Sequence, residues 1–279
     1  MRIVRTAILF TTIICIAIFS EKETGNLLIA PFATSVAHNG SQTISAVASA
    51  SPLYAQNQVP VFHSYADLPD SRIGSRYQLE RSLLGNREIS PTAKVVALTF
   101  DDGPHPEVTT EILNILDRYN AKATFFMVGE RVQYYPKTVH DVFARGHEIG
   151  NHTWSHSDLT ELKEGEVEEE ITYTNEAVYR IIGKKPAVFR PPYGSLNDLI
   201  RQQIKMKIVL WSADTFDYKS KDADLILEEV SNKVHDKAII LMHDIYPSTA
   251  DGLESVLQYL QEQGYTFVTV SELFALEQK

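Results

Sequence analysis

The feature that most constrains the fold is a regular alternation between short apolar runs and longer amphipathic stretches, which begins near Lys94. Over about 180 residues, such alternation is typical of parallel strands joined by crossover helices. Gly146, Gly183 and Gly264 stand where helix C-caps are expected. The sequence therefore predicts an α/β protein, either a doubly wound sheet or an incomplete (β/α) barrel with about seven parallel strands.

The elements follow from the spacing of the apolar residues. Strands are predicted at Val95–Phe100, Ala123–Val128, His147–Asn151, Ala187–Arg190, Lys207–Trp211, Ala238–Met242 and Thr266–Val270. Helices are predicted at Pro106–Tyr119, Tyr135–Arg145, Lys163–Ile182, Leu196–Lys205, Ala223–Val234 and Gly252–Gln263.

Polar side chains collect directly after strands rather than after helices. In chain order, five strand ends carry Asp101 and Asp102, His152 and His156, Arg190, Asp214 and Asp217, and His243 and Asp244. Ligands of β/α proteins bind at the carboxyl edge of the strands. We therefore expect these residues to form one site.

The pair Asp101-Asp102 follows the apolar run Val95–Leu98 and precedes a Gly-Pro turn. Two carboxylates at the exit of a buried strand are costly unless they bind a metal or transfer a proton. One could bind the metal while the other accepts a proton from the attacking water. A turn or a helix N-cap is the alternative, but one aspartate would suffice for either.

His152 and His156 are four residues apart, so both rings can reach one ion from a helical turn or a tight loop. This spacing alone is a weak signal, and its position at a strand exit strengthens it. The chain has one cysteine, Cys15, in the apolar N-terminal run, which excludes a cysteine cluster. A histidine–carboxylate set fits an open, zinc-type site.

The stretch Phe189–Gly194 contains two consecutive prolines, which make a rigid loop. The backbone N–H of Tyr193 could stabilise an oxyanion there, and Arg190 could orient a carboxylate. A surface turn with a salt bridge is the alternative.

His243 ends an apolar strand, where a histidine is commonly a core residue. A carboxylate that holds its ring would instead favour a catalytic role. Asp214 and Asp217 are the candidates for that carboxylate.

Taken together, these motifs resemble those of the polysaccharide deacetylases, the NodB-homology enzymes of carbohydrate esterase family 4. The resemblance covers about Lys94 to Val270 and implies a distorted (β/α) barrel with fewer than eight complete units. The five stretches that carry it are Thr99–Pro104, His152–His156, Arg190–Gly194, Asp214–Tyr218 and Leu241–His243.

The resemblance also implies roles for individual residues. Asp101 would be the catalytic base held by Arg190, and His243 the general acid oriented by Asp217, with the Tyr193 amide as oxyanion donor. The implied cofactor is a divalent transition metal, usually zinc, with cobalt and nickel as alternatives. Its implied ligands are Asp102, His152 and His156. One departure is Tyr218, where the family often has tryptophan.

The N-terminal third shows no helical or strand period. Two arginines precede an apolar run over residues 6–20, which predicts a signal peptide or a membrane anchor within residues 1–20. Residues 21–92 are rich in Ser, Ala, Asn and Gln and predict a polar linker or stalk. Residues 93–279 form the predicted catalytic domain of an exported protein, extracellular, in the cell wall or membrane-anchored.

A net charge of −10 argues against a nucleic-acid partner. The resemblance implies a monomeric hydrolase that removes N-acetyl groups from N-acetylglucosamine units of a cell-wall polysaccharide, with peptidoglycan as the leading substrate. Alternatives are a deacetylase of chitin or of an exopolysaccharide, an acetyl xylan esterase, and a catalytically silent glycan-binding module.

Overall fold

The structure, a computed structural model, describes residues 89–90 and 92–278. The predicted signal or anchor and nearly all of the predicted stalk lie outside these residues. Within the described part of the chain, no helix combines the length and the apolar character needed to cross a membrane.

Parallel strands and helices alternate through the described chain, as the sequence predicts. The strands are β1 (Val95–Asp101), β2 (Ala123–Met127), β3 (Glu148–Asn151), β4 (Val188–Phe189), β5 (Lys207–Ile208), β6 (Ala213–Asp214), β7 (Ala238–His243) and β8 (Thr266–Phe267). The helices are α1 (Val108–Arg118), α2 (Gly129–Tyr134), α3 (Pro136–Ala144), α4 (Glu164–Ile182), α5 (Asp198–Gln203), α6 (Asp217–Ser220), α7 (Ala223–Lys233), α8 (Pro247–Glu262) and α9 (Val270–Glu277).

Seven strands form one continuous sheet in the order β5-β4-β3-β2-β1-β7-β6, and β8 pairs with the start of β1. Every pairing is parallel. The sheet curls into a half-barrel with helices outside it, which confirms the prediction of an incomplete (β/α) barrel.

The two edge strands, β5 and β6, are consecutive in the chain and are joined by only residues 209–212. A linker of this length spans at most about 18 Å when fully extended. The two edges of the sheet must therefore lie close together, and this short linker is the physical reason for the curl.

The strand predicted over Lys207–Trp211 is too long, because only Lys207 and Ile208 pair with β4 before the chain crosses between the two edges. The backbone N–H of Val209 donates to Phe189 on one side, at 2.8 Å, and that of Ser212 donates to Ile239 on the other, at 3.0 Å. The segment thus leaves one ladder and joins the next, which yields two short strands.

The strand predicted over Thr266–Val270 is also too long. Thr269 begins α9 by accepting a hydrogen bond from the Glu272 backbone at 3.2 Å, while the Glu272 carboxylate accepts from the Thr269 backbone at 2.8 Å. This reciprocal capping box ends the extended segment. The three predicted C-cap glycines all adopt positive φ, as expected.

The alternation of side chains along β1 positions the site. Val96, Leu98 and Phe100 pack outward against helices in the main core. Val95 and Ala97 point inward, into a smaller core that fills the barrel. The same alternation places Asp101 on the inner face, at the carboxyl edge of the sheet.

Candidate active site

The aspartate pair stands where β1 ends. Asp101 is buried, and its register neighbours are Phe126 on β2 and His243 on β7. Asp102 adopts a φ of 73°, a left-handed conformation that is uncommon for a residue with a side chain. This change of backbone direction lets both carboxylates face the same imidazole, that of His152, at 3.9 and 3.4 Å.

Asp102, His152 and His156 meet at the carboxyl edge of the sheet, at the open end of the half-barrel, which we call the mouth. Asp102 Oδ1 lies 3.4 Å from His152 Nε2 and 3.0 Å from His156 Nε2, and the three ligand atoms lie within 4.8 Å of one another. Among the described residues, Asp102 Oδ1 is nevertheless buried with no hydrogen bond of normal geometry. Burial alone would raise the pKa of Asp102, but the two imidazoles, in their protonated form, hold it well below its usual range.

The donor atoms fit a divalent transition metal. Two imidazole nitrogens and one carboxylate oxygen are a set that such ions bind with coordination positions left open. His152 Nδ1 lies 2.7 Å from the Arg190 carbonyl oxygen, which can only accept a hydrogen bond. The proton of His152 is therefore on Nδ1, so that Nε2 presents a lone pair toward Asp102.

The loop that carries the two histidines is backbone-strained and firmly held. Thr153 and His156 both have positive φ, 66° and 60°. Glu170, buried on α4, accepts the backbone N–H groups of Trp154 and Ser155 at 2.7 and 2.8 Å. Sequence reasoning missed this glutamate, although an acid on the apolar face of a helix is a readable signal of a buried contact.

Arg190 is fully buried inside the barrel and holds Asp101. Its guanidinium donates to Asp101 Oδ1 at 2.7 Å and to Thr99 Oγ1 at 2.8 Å. It also donates to the carbonyl oxygens of Val209 and Leu210, at 3.2 and 3.3 Å. Because Oδ1 is occupied, Asp101 Oδ2 is the oxygen that faces His152.

His243 is held by Asp217 rather than by Asp214. The Nδ1 atom of His243 lies 2.7 Å from Asp217 Oδ1, and the His243 backbone N–H donates to Asp217 Oδ2 at 2.7 Å. Thr249 and the backbone of Tyr218 also donate to this buried carboxylate. Asp214 instead accepts a hydrogen bond from the Phe216 backbone at 2.8 Å. Because Asp217 occupies the Nδ1 atom of His243, only Nε2 is placed to act on a substrate.

The surroundings of His243 favour its protonated form. Burial alone would lower the pKa of this imidazole. The hydrogen bond and negative charge of Asp217, together with the charges of Asp101 and Asp102, outweigh burial and raise the pKa to about 9. The ring therefore carries both of its protons at neutral pH.

Aromatic rings flank the mouth on two sides. Tyr193, with a φ of 59°, is 69% exposed and packs edge-on against His156 at 4.9 Å between ring centroids. Tyr218 packs edge-on against His243 at 5.3 Å. The proline loop thus brings the Tyr193 ring beside His156.

A buried carboxyl, Asp244, ties the loop after β7 to the end of β1 and to α1. Its backbone N–H donates to the Asp101 carbonyl oxygen at 3.2 Å, and its Oδ2 accepts from Thr109 on α1 at 2.5 Å. Burial, with the charges of Asp102 and Asp101, raises the pKa of Asp244 to about 7. Although its position after a strand was apparent from the sequence, this linking contact was not.

All eight predicted site residues come together at the carboxyl edge of the sheet. They are Asp101, Asp102, His152, His156, Arg190, Tyr193, Asp217 and His243. Their distances allow the predicted roles, and the roles themselves remain predictions for experiment.

Two known proteins place this chain among its relatives. Over 192 residues it is 44% identical to the peptidoglycan-N-acetylmuramic acid deacetylase PdaC of Bacillus subtilis, covering 69% of this chain and 41% of PdaC. Over 206 residues it is 37% identical to a peptidoglycan-N-acetylglucosamine deacetylase of Bacillus cereus, covering 71% of this chain and 96% of that protein. The chain thus spans about two fifths of the length of PdaC.

Solved structures agree with the sequence comparison. A structure of B. subtilis PdaC superposes with a TM-score of 0.67 at 44% identity, covering 68% of this chain and 94% of that one. A carbohydrate esterase family 4 pseudoenzyme from Bacillus anthracis superposes with a TM-score of 0.61 at 32% identity, covering 66% of each chain. The family model of polysaccharide deacetylases matches residues 88–207. With this fold, this site and these relatives, the chain belongs to the polysaccharide deacetylase family.

Proposed function

We propose that this protein is a metal-dependent hydrolase that removes acetyl groups from N-acetylglucosamine units of peptidoglycan and releases acetate. The observation that carries the proposal is the buried Asp102 oxygen, which faces two imidazole nitrogens and has no hydrogen-bond partner among the described residues. On either side stand an arginine-held carboxylate and an aspartate-held histidine. The cell-wall deacetylases among the relatives support the choice of substrate.

Asp102, His152 and His156 would hold the metal, whose Lewis acidity would activate water and polarise the acetamide carbonyl. The residues of the chain supply the proton transfers. Asp101 Oδ2 accepts the proton of the water that attacks the carbonyl carbon, while Arg190 fixes the other oxygen of that carboxylate. The Tyr193 N–H donates to the oxygen on which negative charge develops.

Collapse of the tetrahedral centre breaks the bond between carbon and nitrogen. The protonated His243 donates its Nε2 proton to the departing nitrogen, so that the sugar leaves as a neutral amine and the acyl group as acetic acid, which ionises to acetate in water. Asp217 keeps the ring oriented and protonated until that step.

The relatives leave two sugars to distinguish, because one acts on N-acetylmuramic acid and another on N-acetylglucosamine in peptidoglycan. The deciding experiment is acetate release by the zinc-loaded protein from peptidoglycan, chitin oligomers and acetylated xylan. Mass spectrometry of the digested peptidoglycan then identifies the deacetylated sugar. We expect glucosamine to accumulate.

Two results would overturn this proposal. Preferential release from chitin or xylan would assign a different substrate. Glycan binding without acetate release from any polymer would identify a silent module, a possibility made concrete by the pseudoenzyme relative.

We also propose that residues 1–20 direct export and that residues 21–92 connect this leader to the catalytic domain. The support is the arginine-flanked apolar run and the polar composition that follows it. N-terminal sequencing of the protein from the cell envelope and from the medium tests both points. Recovery of the intact protein from the cytosol alone would contradict them.

A further inference from the structure

A group of cations borders the proposed acid, and neither the proposed chemistry nor the fold accounts for it. Lys219, in α6, has its ammonium group 4.8 Å from the ring centroid of Phe216 and 5.2 Å from that of Tyr218. Lys221 lies 5.3 Å from the ring centroid of Tyr246. Both lysines are exposed, and neither forms an ion pair with another described residue.

The rings beneath these lysines lead directly to His243. Tyr218 and Tyr246 contact the His243 ring at centroid distances of 5.3 and 6.0 Å. Each ammonium group therefore lies one aromatic ring away from the proposed general acid. A cation over an aromatic face is stabilised by about 0.5–1 kcal/mol at exposed sites, enough to bias where these side chains lie.

The two lysines thus lie on the same side of the site, each over a ring that contacts His243. We call Lys219 and Lys221 the cationic rim.

The rim is positively charged, whereas the protein as a whole is negatively charged. A chain with a net charge of −10 repels an anionic polymer, so attraction at the mouth requires local positive charge. The nearest acid in sequence, Asp222, does not neutralise Lys221 by an ion pair. Its carboxylate instead caps α7 by accepting the Asp224 backbone N–H at 2.9 Å.

We propose that the cationic rim binds a carboxylate carried by the sugar next to the one that is deacetylated, and so selects anionic glycan over neutral glycan. Chitin is an uncharged chain of N-acetylglucosamine. In peptidoglycan every second sugar is N-acetylmuramic acid, which bears a lactyl carboxylate or, through it, a peptide stem with its own carboxylates. The inference rests on the proposed function and specifies how that site recognises its substrate.

The test compares kcat/KM for two substrates of similar length, amidase-stripped glycan strands with free lactyl carboxylates and chitin oligomers. In the K219Q/K221Q variant we expect about a tenfold loss on the stripped strands, through KM, and a much smaller change on chitin oligomers. Salt at about 0.5 M should reduce the wild-type preference, because it screens exposed charges. The K219R/K221R variant, which keeps both positive charges, should retain the preference for stripped strands.

The chain offers a matched control. Lys185 and Lys207 are also exposed lysines over aromatic rings, 5.9 Å from Tyr179 and 4.2 Å from Phe274, and they stand just before β4 and at the start of β5, at the opposite end of the barrel. K185Q/K207Q changes the net charge by the same amount and should leave the substrate preference unaltered. An equal loss in both double variants would attribute the effect to overall charge and overturn the proposal.

Further outcomes separate the rim from the proposed function. Intact muropeptides, tested beside the stripped strands, show whether the lactyl or the stem carboxylate is bound. Equal losses on stripped strands and chitin oligomers in K219Q/K221Q would overturn the rim while leaving the deacetylase proposal intact. Absence of acetate from every substrate would refute the proposed function. Calorimetry would still test whether the rim binds stripped strands, by comparing the affinities of the wild type and K219Q/K221Q. Equal affinities would reject the rim proposal.

Discussion

At the scale of single residues, the adjacent carboxylates Asp101 and Asp102 have different surroundings. Asp101 is bound by a buried guanidinium, whereas Asp102 has a buried oxygen that faces two imidazoles and lacks a hydrogen-bond partner among the described residues. Because both residues are aspartates, their identity cannot tell a proton acceptor from a metal ligand, but these different contacts can. Replacing Asp101 should therefore reduce turnover, whereas replacing Asp102 should weaken metal binding.

Asp101→Asn should retain zinc while kcat falls by at least about 100-fold, because the amide cannot accept the proton. Asp102→Asn should instead weaken zinc binding by more than about 100-fold, because it removes the anionic ligand. Zinc titration of the metal-free proteins, paired with acetate release, measures both effects. Wild-type turnover in Asp101→Asn would remove that residue as the base.

The pH dependence of activity should report the contact between Asp217 and His243. His243 must be protonated to donate, so activity declines as pH rises through its pKa of about 9. Asp217→Asn removes the main charge that raises this pKa, so the alkaline limb of kcat/KM should move to lower pH by about one unit or more. An unmoved limb would mean that His243 does not act as the acid.

The same contact contributes to stability with a definite sign. The pKa of His243 is raised from 6.5 to about 9 on folding. Its contribution is thus fully present below about pH 6.5 and is lost as the pH rises through about 9.

At the scale of elements, the site depends on loops that depart from regular structure immediately after their strands. The loop after β3 carries both histidines, and two of its residues have positive φ. Such strain persists only where surrounding contacts enforce it. Helix α4 supplies that enforcement through Glu170, whose carboxylate binds two consecutive backbone N–H groups of the loop.

Glu170→Ala should therefore weaken zinc binding by about 10- to 100-fold although Glu170 is not a ligand, because residues that orient ligands have effects of this size. Glu168→Ala is the control, since Glu168 is exposed on the same helix. Competition with a chromogenic chelator measures both variants. Equal zinc affinities for the two would show that the loop holds its shape without the carboxylate.

At the scale of the whole molecule, one buried side chain contacts both the proposed base and the linker between the two edge strands. Arg190 joins the aspartate on β1 to the linker between the two edge strands, by donating to the Val209 and Leu210 carbonyl oxygens. Closing the barrel and holding the proposed base are thus the same set of hydrogen bonds.

Arg190→Lys should lower the free energy of unfolding by about 3 kcal/mol, because an ammonium group cannot replace this forked set of contacts in a buried site. Arg201→Lys, at an exposed position on α5, should change it by less than about 0.5 kcal/mol. Urea denaturation of the metal-free proteins measures the difference. Similar stabilities would mean that the linker does not need the guanidinium.

Local pattern by itself determined the parallel α/β class, the strand exits that carry the site, and all eight candidate residues. Apolar periodicity sets which faces are buried, and the carboxyl ends of parallel strands share one edge, so these conclusions need only short-range information. The resemblance to a family added the roles and the barrel. The N-terminal predictions concern residues beyond the described part of the chain.

Only the tertiary structure decided the features that depend on partners distant in sequence. It shortened the predicted Lys207–Trp211 strand, because the chain leaves β4 after Val209 and pairs with β7 only from Ser212 onward. It placed Asp217 rather than Asp214 against His243, a choice that local pattern left open and that the resemblance favoured, and it revealed Glu170 behind the histidine loop. A run of apolar residues predicts that a strand will be buried, but not which neighbouring strand it will pair with. The partner of a carboxylate likewise depends on which distant residues the tertiary fold brings next to it.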